Sequence, residues 1–364
     1  MSDDVTRRYY LKPDRSLDLD CVAELPEINT GDPQALIDFV SWAIEEYPAE
    51  RNALVLWNHG SGWKDEDIYK AADRRGIGER ITRGQMRGLS SGKPSRVLFN
   101  TTVEQMVVEA SERAILFDDS AADFLDNIEL KKVLQQVKYK LGRPVDLVGF
   151  DACLMNMLEV DYQIQDLCRF VVGSQDIEPG DGWPYDGILA HLAADQNMTA
   201  ETLGRVIVDE YVDFYKHNFT SLPITLSTVC LERLTSTAEV VSELGGILKD
   251  RMSEREGMGI IFRALRYAQS FTDRDYVDLA NFCQHLALDD AGGEIGAAAL
   301  QVADSLRGEE SPIVAEGHHG PEVRDATGLS IYLPSRVYSP LYDRLDFARQ
   351  FAWDEFLQDL INPH

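Results

Sequence analysis

Basic side chains are scarce in this chain: 35 lysines and arginines stand against 62 aspartates and glutamates, a formal net charge of −27. That excess repels phosphate over most of the surface and argues against nucleic acid as a partner; cationic polypeptides or divalent cations suit it better. Cysteines are also few, five in 364 residues, odd in number and scattered as Cys21, Cys153, Cys168, Cys230 and Cys283. They form no Cys-x-x-Cys pair and no tight Cys/His cluster, so no zinc site is expected and reduced thiols in a reducing compartment are the simplest state. No apolar run approaches the length of a membrane-crossing helix, which argues against a membrane partner. The acidic start, Met1-Ser-Asp-Asp-Val5, has no apolar segment after Arg7-Arg8 of the kind a secretory leader carries, and the expected location is the cytoplasm.

What the chain does have is a globular composition, 44% hydrophobic, and alternating strand and helix patterns. A first strand is expected at Arg8-Tyr-Tyr-Leu11. A helix begins at Gly31-Asp-Pro33, runs through Leu36, Phe39, Val40, Trp42 and Ala43, and ends at Tyr47-Pro48. Helices are also expected over 126–137, 154–167 and 200–216, and strands at Phe170-Val-Val-Gly173, 224–229 and Gly328–Leu333. The alternation implies βαβ units, hence an α/β fold with a mostly parallel central sheet. About 235–310 is helix-rich, and a final amphipathic helix carries Phe347, Phe351, Trp353 and Phe356. With no flexible linker and no repeat, one domain over 1–364 is expected. The segment of about 64–113 differs from the rest: charged, irregular and basic, it reads as an exposed insertion with a short strand at Val97-Leu-Phe99.

Two apolar runs end in reactive side chains. Asn52-Ala-Leu-Val-Leu-Trp-Asn58 leads into His59-Gly60-Ser61-Gly62-Trp63, and Val145-Asp-Leu-Val-Gly-Phe150 leads into Asp151-Ala152-Cys153. Chemistry in parallel sheets collects at the carboxyl ends of strands, where a histidine and a cysteine far apart in sequence can meet. Taken alone, a cysteine at a strand end is ordinarily a buried thiol, and a His-Gly-Ser-Gly stretch is ordinarily a turn. Their joint occurrence points to a cysteine nucleophile and a histidine base. Cys153, at the first turn of the expected 154–167 helix, would have its thiolate stabilised by exposed N–H groups. The amides of Gly60 and Cys153 would hold an oxyanion.

These residues carry a resemblance to the clostripain-like cysteine peptidases. The matching stretches are Leu56-Trp-Asn-His59-Gly-Ser-Gly-Trp63, Phe150-Asp-Ala-Cys153-Leu-Met155 and Gly173-Ser-Gln-Asp-Ile-Glu-Pro-Gly-Asp-Gly-Trp-Pro-Tyr185, with weaker likeness through Tyr276-Val-Asp-Leu279 and Gly328-Leu-Ser-Ile-Tyr-Leu-Pro334. The resemblance implies a caspase-like α/β/α sandwich and an endopeptidase with a Cys153–His59 dyad, cutting protein or peptide substrates after Arg, or Lys. It also implies an acidic pocket beside the nucleophile. Asp151 fills the first acidic position and Asp181 is expected to be its partner, with Asp176 and Glu178 as rivals. The bland alternatives are a helix cap for Asp151 and an ordinary Gly-Asp-Gly turn for Asp181.

Family members are often activated by cutting between the His and Cys blocks. That makes Arg74, Arg75, Arg80, Arg83 and Arg87, within the basic insertion, candidates for processing in cis or by an upstream protease. No cofactor is required; calcium is a candidate by family analogy, although no loop has EF-hand spacing. The expected function is a regulated intracellular protease made as an inactive precursor. The competing reading is a catalytically silent module of the same fold that binds basic peptides. Gly88-Leu-Ser-Ser-Gly92 matches a serine-hydrolase pattern without a leading strand, Gly92-Lys93 lacks Walker spacing, and His318-His319 near Glu316 is as much a polar loop as a metal site.

Overall fold

The computed structural model describes residues 5–12, 15–58, 60–63, 115–118, 123–219 and 221–362. A hairpin of β1 (Val5–Tyr9) and β2 (Cys21–Pro26) flanks the one-turn helix α1 (Leu17–Asp20) and precedes α2 (Pro33–Glu46) and β3 (Ala53–Trp57). The short pair β4 (Ile115–Asp118) and β5 (Asp123–Leu125) leads into α3 (Asn127–Leu141), β6 (Val145–Asp151), α4 (Leu158–Gln163) and β7 (Cys168–Gly173). Then follow α5 (Tyr185–Ala194), α6 (Ala200–Asn218), β8 (Ile224–Cys230), α7 (Leu234–Arg251) and α8 (Arg255–Tyr267). The chain closes with β9 (Tyr276–Asp278), α9 (Leu279–Asp289), α10 (Glu294–Ser305), β10 (Ile313–His319), β11 (Ser330–Tyr332), α11 (Asp346–Gln350) and α12 (Trp353–Ile361).

Local chemistry sets the helix ends. The Asp32 side chain accepts the Gln34 N–H at the start of α2, with Pro33 in the first turn. Asp126 and Glu129 form a reciprocal capping box on α3, and Gly142 ends it in the left-handed conformation.

Five strands form the main sheet in the order β10-β8-β7-β6-β3. The pairs β3–β6 and β6–β7 are parallel; β7–β8 and β8–β10 are antiparallel, so only β8 runs against the others. The expected strand at 224–229 is present but reversed. Two helices, α5 and α6, separate it from β7, so the chain comes back to the end of the sheet where β7 finished; one helix, α4, separates β6 from the parallel β7. Strand alternation then divides the interior. Val148, Phe150 and Val171 join one apolar core with α2, α3 and α7, whereas Leu147, Phe170 and Val172 join another with Ile207, Tyr211 and Tyr215 of α6. The result is an α/β/α sandwich. Full burial of each such side chain contributes about 1.5–3 kcal/mol before the ordering entropy is subtracted.

Three expectations need correction. The first strand is Val5–Tyr9 rather than 8–11. His318 and His319 lie in edge strand β10, not in a loop, and among the described residues no group of three His, Cys, Asp or Glu side chains is placed to hold a metal. The helix expected over 154–167 is only Leu158–Gln163. Its apolar spacing is helical, but the preceding residues are drawn off by tertiary bonds: Leu154 N–H to the Asp176 carbonyl, Asn156 N–H to the Ser174 carbonyl, and Met157 in a bridge to Ser330.

That bridge ties the main sheet to a second one, in which β11 and β9 pair antiparallel with Tyr332 opposite Tyr276. The Ser330 N–H also donates to the Asn156 carbonyl.

Candidate active site

The parallel pairing of β3 with β6 sets Trp57 opposite Asp151, and the Asn58 N–H reaches the Asp151 carbonyl at 3.4 Å. The two strands therefore end side by side. His59 lies outside the described residues, as do Arg74, Arg75, Arg80, Arg83, Arg87, the Gly88–Lys93 motifs and the 97–99 strand. Beyond His59, the Gly60 backbone is pressed against the cysteine-bearing chain: a Cβ at Gly60 would lie 2.3 Å from the Cys153 carbonyl oxygen and 3.1 Å from the Ala152 Cβ. Only glycine can make that approach.

Cys153 sits in a tight turn after β6 rather than at a helix N-terminus, and the next residue, Leu154, adopts a left-handed φ of 63°. A buried leucine in that region is a strained conformation held by its surroundings. The sulfur is aimed at the loop after β7, where it accepts the Glu178 N–H at 3.2 Å. Cys153 is only 6% exposed. Burial first of all, and then the carboxyls of Glu178, Asp176 and Asp151, push its pKa up to about 12 against the lowering effect of the Glu178 amide. The thiol is thus protonated at neutral pH, and ionising it requires a base. Thiolate stabilisation by the expected 154–167 helix is not available at that position, because the helix begins only at Leu158.

Two carboxyls near the sulfur are buried with it. Asp151 is buried; its Oδ2 accepts the Tyr185 hydroxyl at 2.8 Å and the Trp183 N–H at 3.2 Å. Its other neighbour is the Glu178 carboxyl, whose oxygens are both buried. Burial raises the pKa of Asp151, and burial together with the adjacent Asp151 raises that of Glu178 well above the usual carboxylate range. Two buried carboxyls this close to one another cannot both carry charge cheaply. Asp151 is bonded by an amide and a phenol, and no lysine or arginine among the described residues pairs with either carboxyl.

The other two acids fall differently. Asp181 is half-buried on the same loop, next to Gly182, whose backbone lies against the Asp151 carboxyl. Asp176 is a brace: its Oδ1 accepts the Thr272 N–H at 2.8 Å. Of the four acids considered from the sequence, the structure brings together Asp151 and Glu178.

Sequence reasoning missed the residues that grip the His59 loop. The Tyr276 hydroxyl donates to the Ser61 carbonyl at 2.7 Å, and Asn127 Nδ2 donates to the Gly62 carbonyl at 3.0 Å. Trp63 packs edge-on against Tyr332 and Tyr342, with ring centroids at 4.5 and 5.0 Å. Beneath them Glu159, fully buried, accepts the Tyr332 N–H and the Tyr342 hydroxyl. No local pattern announces contacts between residues so far apart.

Comparisons with known proteins identify the family and the fold. The sequence model described as the clostripain family matches residues 15–80 and 103–360. Clostripain of Hathewaya histolytica is 23% identical over 388 residues, covering 93% of this chain; the chain spans 65% of that relative's length. Among solved structures, an inactive zymogen C11 protease from Parabacteroides distasonis superposes with a TM-score of 0.59 at 17% identity, covering 95% of this chain and 83% of its own. A secreted C11 cysteine protease from Bacteroides thetaiotaomicron, in complex with an irreversible peptide inhibitor, gives 0.57 at 16% identity, covering 93% and 81%. The fold is that of the caspase-like C11 proteases.

Proposed function

The chain belongs to the clostripain family, and from that premise we propose that it is a cysteine endopeptidase cutting polypeptides after arginine, with lysine as the lesser substrate. His59 takes the proton from the Cys153 sulfur, which then attacks the scissile carbonyl. The amides of Gly60 and Cys153 receive the oxyanion. The protonated imidazole passes its proton to the departing amine, leaving a thioester, and then draws a proton from the water that hydrolyses it. A thiol whose pKa lies near 12 cannot dispense with such a base.

The single observation behind the specificity is the Asp151–Glu178 pair, buried next to the nucleophile and without a cationic partner among the described residues. A guanidinium entering there would favour the charged forms of both groups and could bind them with bidentate geometry. In this proposal Glu178, a rival of Asp181 in the sequence, is the second acid.

The precursor reading remains part of the proposal: cleavage among Arg74, Arg75, Arg80, Arg83 and Arg87, by the chain itself or by another protease, would activate it. A cytoplasmic setting suits the five free cysteines, and cell fractionation tests it. Profiling a peptide library with the wild type and with Cys153→Ala tests the activity. Cleavage after basic residues, lost in the variant, is the expected result; a wild type that, after cleavage in the basic insertion, is still inert toward every peptide and unlabelled by an arginyl affinity reagent would favour the silent binding module.

A further inference from the structure

We propose that Tyr276 is a positioning residue for the reaction, acting through the Ser61 carbonyl to fix the His59 loop against the Cys153 loop; this rests on the reading of His59 as the base. The two loops leave adjacent strands, and beyond the Trp57–Asp151 pair the ladder no longer sets their spacing. A closed circuit of contacts does so instead. From Cys153 the chain runs to Met157, which bridges to Ser330 in β11. β11 pairs with β9, setting Tyr332 opposite Tyr276. The Tyr276 hydroxyl then bonds Ser61 at 2.7 Å, 215 residues away in sequence. From Ser61 one step back reaches Gly60, in contact with the Cys153 carbonyl.

Neighbouring contacts tighten the circuit. Gly62, at a φ of 66°, lies so close to Tyr276 that a Cβ there would fall 2.8 Å from the phenol ring. Asn127 holds the Gly62 carbonyl from a third direction. The loop that caps the sulfur is bound to the same small sheet, because Gln175 Nε2 donates to Asp278 and Gln175 Oε1 accepts the Gly328 N–H. Every loop of the site is thereby referenced to β9 and β11. The phenol ring of Tyr276 is fully buried, so Tyr276→Phe deletes one hydroxyl and keeps the packing.

The test is steady-state kinetics on an arginyl peptide with active enzyme. For Tyr276→Phe, kcat falls about tenfold to a hundredfold while KM changes by less than about twofold, the signature of lost alignment rather than lost binding. The acid limb of its kcat–pH profile also shifts, because the base no longer sits in its native surroundings. Asn127→Ala, on another element, shows the same split and serves alone if Tyr276→Phe does not fold. Wild-type kcat in Tyr276→Phe, or in Asn127→Ala where Tyr276→Phe does not fold, or a rise in KM alone, overturns the proposal. His59→Ala separates the two ideas: full activity there removes the base and this proposal together, whereas an inactive His59→Ala beside a wild-type-like Tyr276→Phe removes only the positioning role.

Discussion

Asp151 and Glu178 are buried carboxyls close enough to act on one another and on the Cys153 sulfur. Both have raised pKa values when the pocket is free, and a bound guanidinium favours their charged forms. Proton and cation therefore compete. KM for an arginyl peptide is expected to fall as pH rises through the raised pKa of the pair, and to level off above it. Asp151→Asn keeps acceptors for Trp183 and Tyr185 but should lose about a hundredfold or more in kcat/KM on that peptide. Glu178→Gln should weaken KM and flatten its pH dependence; an unchanged profile would remove Glu178 from the pocket.

Gly60 tolerates no side chain. Its Cβ would come 2.3 Å from a backbone oxygen, which cannot rotate away. Gly60→Ala is expected to lower kcat/KM by about a hundredfold, the order seen when reacting groups are misplaced by an ångström. Kinetics beside a melting curve will tell local displacement from unfolding.

The thiol should be sluggish toward small reagents. With a pKa near 12, its thiolate fraction at pH 8 is lower than that of free cysteine by about three orders of magnitude. Iodoacetamide should label Cys153 correspondingly slowly, as followed by peptide mass spectrometry. Labelling at the rate of free cysteine would mean that the sulfur is ionised by its surroundings.

Glu159 makes a prediction about stability. Burial raises its pKa from 4.5 to about 7, with Asp161 close by on the same helix. The unfolded chain ionises first, so stability contributed at acid pH is lost as pH rises from about 4.5 to about 7, then stays level, a loss on the order of 3 kcal/mol. Glu159→Gln should unfold in urea with a flatter pH dependence across that window. An unaltered slope would assign the dependence to other groups.

Strands β3 and β6 were legible because both are short apolar runs bounded by polar turns, and they pair in parallel with Trp57 opposite Asp151. The helix after Cys153 was overextended because Leu154, Met155 and Leu158 have helical spacing, while Asn156 is spent on Ser227 and Gly328, more than 70 residues away. Strand β10 escaped notice because Ile313–His319 is a half-buried edge with few apolar residues on either face. Spacing named the acidic loop 176–181 but not which of its side chains turns inward; that depends on how the loop folds over Asp151.

Trp63 lies on the C-terminal side of β3 and is buried to 5% between Tyr332 and Tyr342, from the far end of the chain. A nick anywhere in 64–113 would cut the covalent thread yet leave that indole lodged, with β3 still laced to β6. The two pieces would migrate as one particle on gel filtration and part only in denaturant, so a doublet on a denaturing gel would mark an intact molecule rather than a degraded one.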